Sequence, residues 1–222
     1  MLSDNNDPAW KRPVVLGVAA IGVLAIVFGL AFACSAGGGG PASQEDGVDL
    51  TAPPAEVSWT PYKGIELPVS AVSGPTGQDS GAPIGYEHSP QGAALAAIQT
   101  TVRISVADDA SWPDLVRVAV APGAGRDAFS VNGVRLSVRG EAAPETKPTI
   151  RGYRIADYAE DAATVEVVAS YPDDSIAGTS VSVIRRDDDW KVVLPDPADT
   201  DRDAPTVELA ELPDDLVELE AP

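Results

Sequence analysis

TIRGYRIADYAEDAATVEVVASYPDDSIAGTSVSVIRRDDDWKVVL, residues 149–194, carries four β-rich runs in close succession. They are 149–158 (TIRGYRIADY), 164–171 (TVEVVASY), 180–186 (SVSVIRR) and 190–194 (WKVVL). Polar or proline-containing turns separate them, among them Tyr171-Pro-Asp-Asp-Ser and Asp187-Asp188-Asp189. Short β-branched runs broken by such turns predict an antiparallel meander.

Upstream the period changes to that of helices. Ser89 suits an N-cap and Pro90 the first helical position, and Leu95, Ile98 and Val102 follow at i, i+3 and i+7. The spacing predicts a helix over 90–106, thin enough through its Ala pairs at 93–94 and 96–97 to lie close on a sheet. Ser111-Trp112-Pro113-Asp114 opens a second, shorter helix, which Pro122-Gly123 ends. Residues 124–147 read equally as helix or strand. The run 59–80 has isolated apolar residues between Pro and Gly and reads as an extended, irregular lead-in. Helices first and strands last predict an α+β unit over residues 58–194, the helices packed on a curved antiparallel sheet.

Residues 13–33 (PVVLGVAAIGVLAIVFGLAFA) contain no charged or polar side chain. As a helix they span roughly 31 Å, which matches a hydrocarbon core of about 30 Å. Trp10, Lys11 and Arg12 precede the run, and no further Lys or Arg occurs before Lys63. That asymmetry predicts a single-pass protein of the cell membrane, with residues 1–12 as a cytoplasmic stub and the rest extracellular. Two readings of residues 13–34 stay open. One is an uncleaved transmembrane helix. The other is a lipoprotein signal, because Leu30-Ala31-Phe32-Ala33-Cys34 resembles a lipobox and would leave a lipidated Cys34. Residues 35–57, rich in Gly, Pro, Ser, Ala and acids, read as a flexible linker.

The formal charge is −19, from 15 Lys and Arg against 34 Asp and Glu. A surface that acidic repels phosphate backbones, so direct nucleic-acid binding is not expected. Residues 195–222 are the most acidic part and read as a disordered tail. One cysteine and one histidine leave no basis for a multi-cysteine zinc site or for imidazole clusters, and no cofactor or metal is expected. His88 beside Glu87 has the composition of a general base, but no nucleophile accompanies it, and a turn histidine is the simpler reading. The carboxylate clusters Asp108-Asp109, Asp173-Asp174 and Asp187–Asp189 lack the loop spacing of an EF-hand and read as solvated turns. No catalytic residue is identified. Of the aromatic residues Trp112, Tyr153, Tyr158, Tyr171 and Trp190, most are expected in the core.

Several short motifs occur in a fixed order: Trp-Lys-Arg-Pro (10–13), Trp59, Leu-Pro-Val-Ser (67–70), Gly-Pro (74–75), His-Ser-Pro-Gln-Gly-Ala-Ala-Leu-Ala-Ala (88–97) and Asp-Trp-Lys-Val-Val-Leu-Pro (189–195). As a set they resemble a family of unknown function, membrane-anchored proteins from actinobacterial mobile elements. Its exported domain is similar to the cone-shaped fold of nuclear transport factor two, which bitopic assembly subunits of conjugative type IV secretion systems share. The resemblance covers most of residues 8–195 and brings no catalytic residues with it. It implies a non-enzymatic structural component of a DNA-transfer apparatus, touching other channel subunits or copies of itself. The alternative is a surface lipoprotein with a ligand-binding, cone-shaped domain. An isomerase- or dehydratase-like enzyme comes third, since it would need an acid–base pair that the residues do not supply.

Overall fold

A computed structural model describes residues 48–133, 147–199 and 205–222. Two hairpins come first. Strands β1 (Val57–Tyr62) and β2 (Ile65–Ser70) pair antiparallel through a two-residue turn. Lys63 and Gly64 both take positive φ there (49° and 81°), the geometry that matches the twist of a tight hairpin. Strands β3 (Gly77–Asp79) and β4 (Ala82–Ile84) form a second, smaller hairpin.

Helix α1 (Pro90–Ser105) begins where Ser89-Pro90 predicts, with the Ser89 hydroxyl accepting from the Gly92 N–H. Helix α2 (Trp112–Ala119) follows, burying Leu115, Val116 and Ala119. Ser111 does not cap it. Its hydroxyl donates back to the Asp108 carboxylate instead. Helix α3 (Ala124–Gly133) occupies the start of the segment that was ambiguous in sequence, and residues 134–146 lie outside the described residues.

The main sheet is antiparallel and has six strands: β5 (Thr149–Ala159), β6 (Ala162–Ser170), β7 (Ile176–Arg186), β8 (Asp189–Val193), β9 (Thr206–Leu209) and β10 (Val217–Glu218). The order runs β10-β5-β6-β7-β8, and β9 pairs with the other half of β7. One face of this sheet packs on α1, and β2 packs on α1 as well. The helix is therefore a middle layer. Ala93 to Ile98 are fully buried in it, against Ile65, Leu67, Tyr153, Val165, Val183 and Trp190. Alanines along the helix allow that close approach from both sides.

The α+β expectation, with N-terminal helices laid on a curved sheet as a cone, is corrected by this topology. Among the described residues ten strands stand against three helices, and four of those strands precede the first described helix. The run read as an irregular lead-in supplies both hairpins. Its prolines do not prevent pairing, because a two-stranded ribbon leaves every second N–H without a ladder partner, and Pro61 and Pro68 sit in the β1–β2 register. No described helix is long and apolar enough to cross a membrane. The transmembrane or signal segment 13–34, Cys34 within it, and the linker up to residue 47 lie outside the described residues.

For residues 205–222 the disordered-tail expectation is also corrected, since they join the sheet; residues 200–204 of that segment lie outside the described residues. β9 lies on the β7 side and β10 on the far side of β5, so residues 210–216 cross β7, β6 and β5. That is roughly 19 Å at one strand spacing per step. Arg154 marks the face that is crossed. It neighbours the core residue Tyr153 and so points away from α1, where it pairs with Glu166 at 2.6 Å and with Asp215 of the crossing segment at 3.4 Å. Val217 and Leu219 then enter the core, 6% and 5% exposed. The described acids of this segment are exposed, Asp215 pairing with the sheet, and its sparse apolar residues hold it down.

Candidate functional site

Residues 85–91, which include the start of the 88–97 motif, and the motif residues 189–190, distant in sequence, meet at the N-terminus of α1. Asp189 accepts from the backbone N–H groups of Gly85 (2.8 Å), Tyr86 (3.0 Å) and Trp190 (2.9 Å). The Trp190 indole N–H donates to the Glu87 carbonyl at 2.9 Å. The Glu87 carboxylate takes hydroxyl bonds from Ser73 (3.1 Å) and Ser89 (2.8 Å). His88 places Nε2 2.6 Å from the Glu160 carbonyl and its ring edge-on to Trp190, 6.1 Å between centroids. Since a carbonyl only accepts, Nε2 carries the proton in this contact.

The backbone of the same region leaves no room for change. A Cβ on Gly92 would stand 2.1 Å from the Glu87 carbonyl oxygen, and one on Gly74 2.6 Å from that of Gly85. The Ser70 hydroxyl donates to the Ala55 carbonyl and accepts from the Val72 and Ser73 N–H groups. Gln91 Nε2 donates to the carbonyls of Asp49 and Ala52, which ties the incoming chain to α1. A cleft of about 480 Å³ opens here, lined in part by Ala52, Glu87, His88 and Tyr158. The geometry is that of a clasp. Each polar side chain named holds backbone or another side chain of this region, the Ser73 and Ser89 hydroxyls on Glu87 included.

A second polar cluster lies toward the other end of α1. Arg103 is only 7% exposed, yet no carboxylate stands within ion-pair distance of it among the described residues. Its Nε donates to Gln99 Oε1 at 3.0 Å, and Gln99 in turn donates to the Pro68 carbonyl at 2.8 Å. The guanidinium carbon lies 4.2 Å from the centre of the Tyr62 ring. Burial pushes Arg103 below its ordinary range, opposed by Tyr86 and Tyr62. Burial likewise pushes the Tyr86 hydroxyl well above its ordinary range, and that hydroxyl has no hydrogen-bond partner. Beside them Lys63 donates to the Val106 carbonyl (3.0 Å) and to Asp108 (2.9 Å). Tyr62, Lys63, Arg103 and Asp108 line a cleft of about 390 Å³. Sequence reasoning missed this cluster. The available signal was Gln99 and Arg103 at i, i+4 in a helix otherwise made of small and apolar residues.

The remaining sequence candidates are placed as follows. Cys34 lies outside the described residues. No group of three or more potential metal ligands occurs among the described residues; Asp173 and Asp187 bond within their own turns, and Asp108 bonds Ser111 and Lys63. Tyr153 and Trp190 are core residues, Tyr158 and Tyr171 are half-buried, and Trp112 stacks on Phe129 with centroids 4.4 Å apart. No curated protein and no solved structure matches the chain. A family model does match, over residues 31–212, and spans both hairpins, the clasp, α1 and the sheet as far as β9, ending within the strap. By that match the chain belongs to the family described as a domain of unknown function, DUF8175.

Proposed function

We propose that this protein is a non-enzymatic, membrane-anchored structural or assembly component of a conjugative, type IV secretion-like DNA-transfer apparatus. Its N-terminus is cytoplasmic and residues 48–222 work outside the membrane, through contacts with other channel subunits or with copies of the chain. The observation that carries this reading is the clasp. The motifs that resemble a mobile-element family, 67–70, 74–75, 88–97 and 189–195, converge on it, and their donors and acceptors are engaged in holding loops. Motif residues used in this way maintain a shape, and a shape is what an assembly subunit presents to its neighbours. The apolar run 13–33 supplies the anchor. The assignment to DNA transfer rests on the sequence resemblance.

The test is genetic and biochemical. Crosslinking the tagged chain in cells, followed by mass spectrometry of the membrane fraction, should recover channel subunits and a transfer ATPase. Unchanged DNA transfer after deletion of the gene would refute the proposal. The cleft over Arg103 favours one second reading, a surface lipoprotein that captures a ligand. That reading requires a mature chain starting at lipidated Cys34, and a retained Met1 removes it.

A further inference from the structure

We infer that the cleft over Arg103 is a binding site for a carboxylate, specifically a monocarboxylate attached to an apolar body. A buried charge is ordinarily paired, because an ion left in low dielectric without a counter-ion is strongly destabilising. This chain has 34 acids to draw on, and none of the described ones pairs with Arg103. What surrounds the guanidinium is organised all the same. Pro68 orients Gln99, Gln99 fixes Nε, and the Tyr62 ring supports the guanidinium plane. The fork is thus held in one orientation, and a planar carboxylate matches its paired donors.

Charge and lining narrow the ligand further. Lys63 and Arg103 flank the same Tyr62 ring, at 6.0 and 4.2 Å from its centroid. Asp108 holds Lys63 at 2.9 Å and places a negative charge at the rim. Two cations against one carboxylate leave a single net positive charge, which suits a singly charged anion and opposes a doubly charged phosphate. Pro61, the Tyr62 ring and Leu115 give apolar wall for the rest of the ligand. The carboxylate belongs either to a free organic acid or to the C-terminus of a polypeptide.

Calorimetric titration of the full-length chain in detergent separates these sources. The probes are benzoate, N-acetyl-glycyl-phenylalanine, the C-terminal amide of that peptide, and inorganic phosphate. Saturable binding of benzoate or of the acid peptide, but not of the amide, is the expected result, and the tighter of the two identifies the source. Arg103→Met should weaken that binding by at least about tenfold. Absence of saturable binding by both carboxylates, equal affinity for phosphate, or unchanged affinity in Arg103→Met would each overturn the inference. Should Arg103→Met fail to fold, melting of the wild-type chain with benzoate and with benzyl alcohol decides. A rise with benzoate alone supports the site, whereas a rise with both or with neither overturns it.

Discussion

Gly152→Ala tests whether the acidic segment is a strap on the sheet. A Cβ at this position would stand 2.2 Å from the Val217 carbonyl oxygen, 3.0 Å from its carbon and 3.1 Å from the Glu218 Cα. All three are backbone atoms, so no rotamer change relieves the overlap. Either β5 shifts or β10 leaves. β10 is the weaker side, since it has two residues and is anchored by Val217, Leu219 and the bond from the Leu219 N–H to the Arg151 carbonyl. Those two side chains stabilise the docked strap by about 1.5–3 kcal/mol each, and release returns backbone entropy to the chain. The net local loss expected is about 2 kcal/mol, within the usual range for overpacking. Local cleavage follows the open population, so it should rise about thirtyfold. The assay is limited digestion of the full-length chain in detergent with a glutamate-specific protease, read by mass. Cutting at Glu218 should accelerate, while Glu166 in the central strand stays protected. Equal rates at Glu218 in variant and wild type would refute the strap, and equal acceleration at both sites would show that the sheet, not its edge, was damaged.

Three further outcomes follow from the packing of α1, the clasp and the Asp108 turn. Ile98→Asp places a charge at a fully buried position between sheet and hairpin and should destabilise by more than about 4 kcal/mol, seen as loss of the cooperative urea transition; a folded, soluble variant would mean that face is not core. Trp190→Phe leaves the Glu87 carbonyl without its indole donor and should cost about 1–3 kcal/mol in urea melts, with the His88 ring signals shifting in NMR. The Ser111 hydroxyl, then Lys63, then the Ser111 N–H hold the Asp108 carboxyl well below its ordinary 3.8. A depressed acid stabilises the fold above its unfolded value and loses that contribution as pH falls through the folded one. The Asp108 carboxyl carbon shift should therefore stay constant down to pH 3.8 and below, and Ser111→Ala should raise its midpoint.

The course of α1 was legible because its signals are local. Ser89 and Pro90 define its start through their own donors and dihedrals, and Leu95, Ile98 and Val102 repeat at the helical period. The meander 149–194 was legible for the same reason, with β-branched runs between turn residues. The two N-terminal hairpins were not, since Pro61 and Pro68 break strand propensity, and only pairing across a two-stranded ribbon makes them acceptable. The candidate site was hidden in another way. Arg103 and Gln99 read as ordinary solvated helix residues until β1 and β2 cover that side of α1 and bury them.

Sequence by itself determined the apolar run 13–33, the acidic charge, the capped helix and the four central strands, because each depends on side-chain chemistry within a few neighbouring residues. Tertiary structure alone decided that α1 is a middle layer, that the motifs 88–91 and 189–190 form one clasp, that the acidic segment closes over the sheet, and that Arg103 is buried without a counter-ion among the described residues. Each of these depends on pairing across long stretches of chain, where a residue's environment is set by a partner that its own neighbours do not specify.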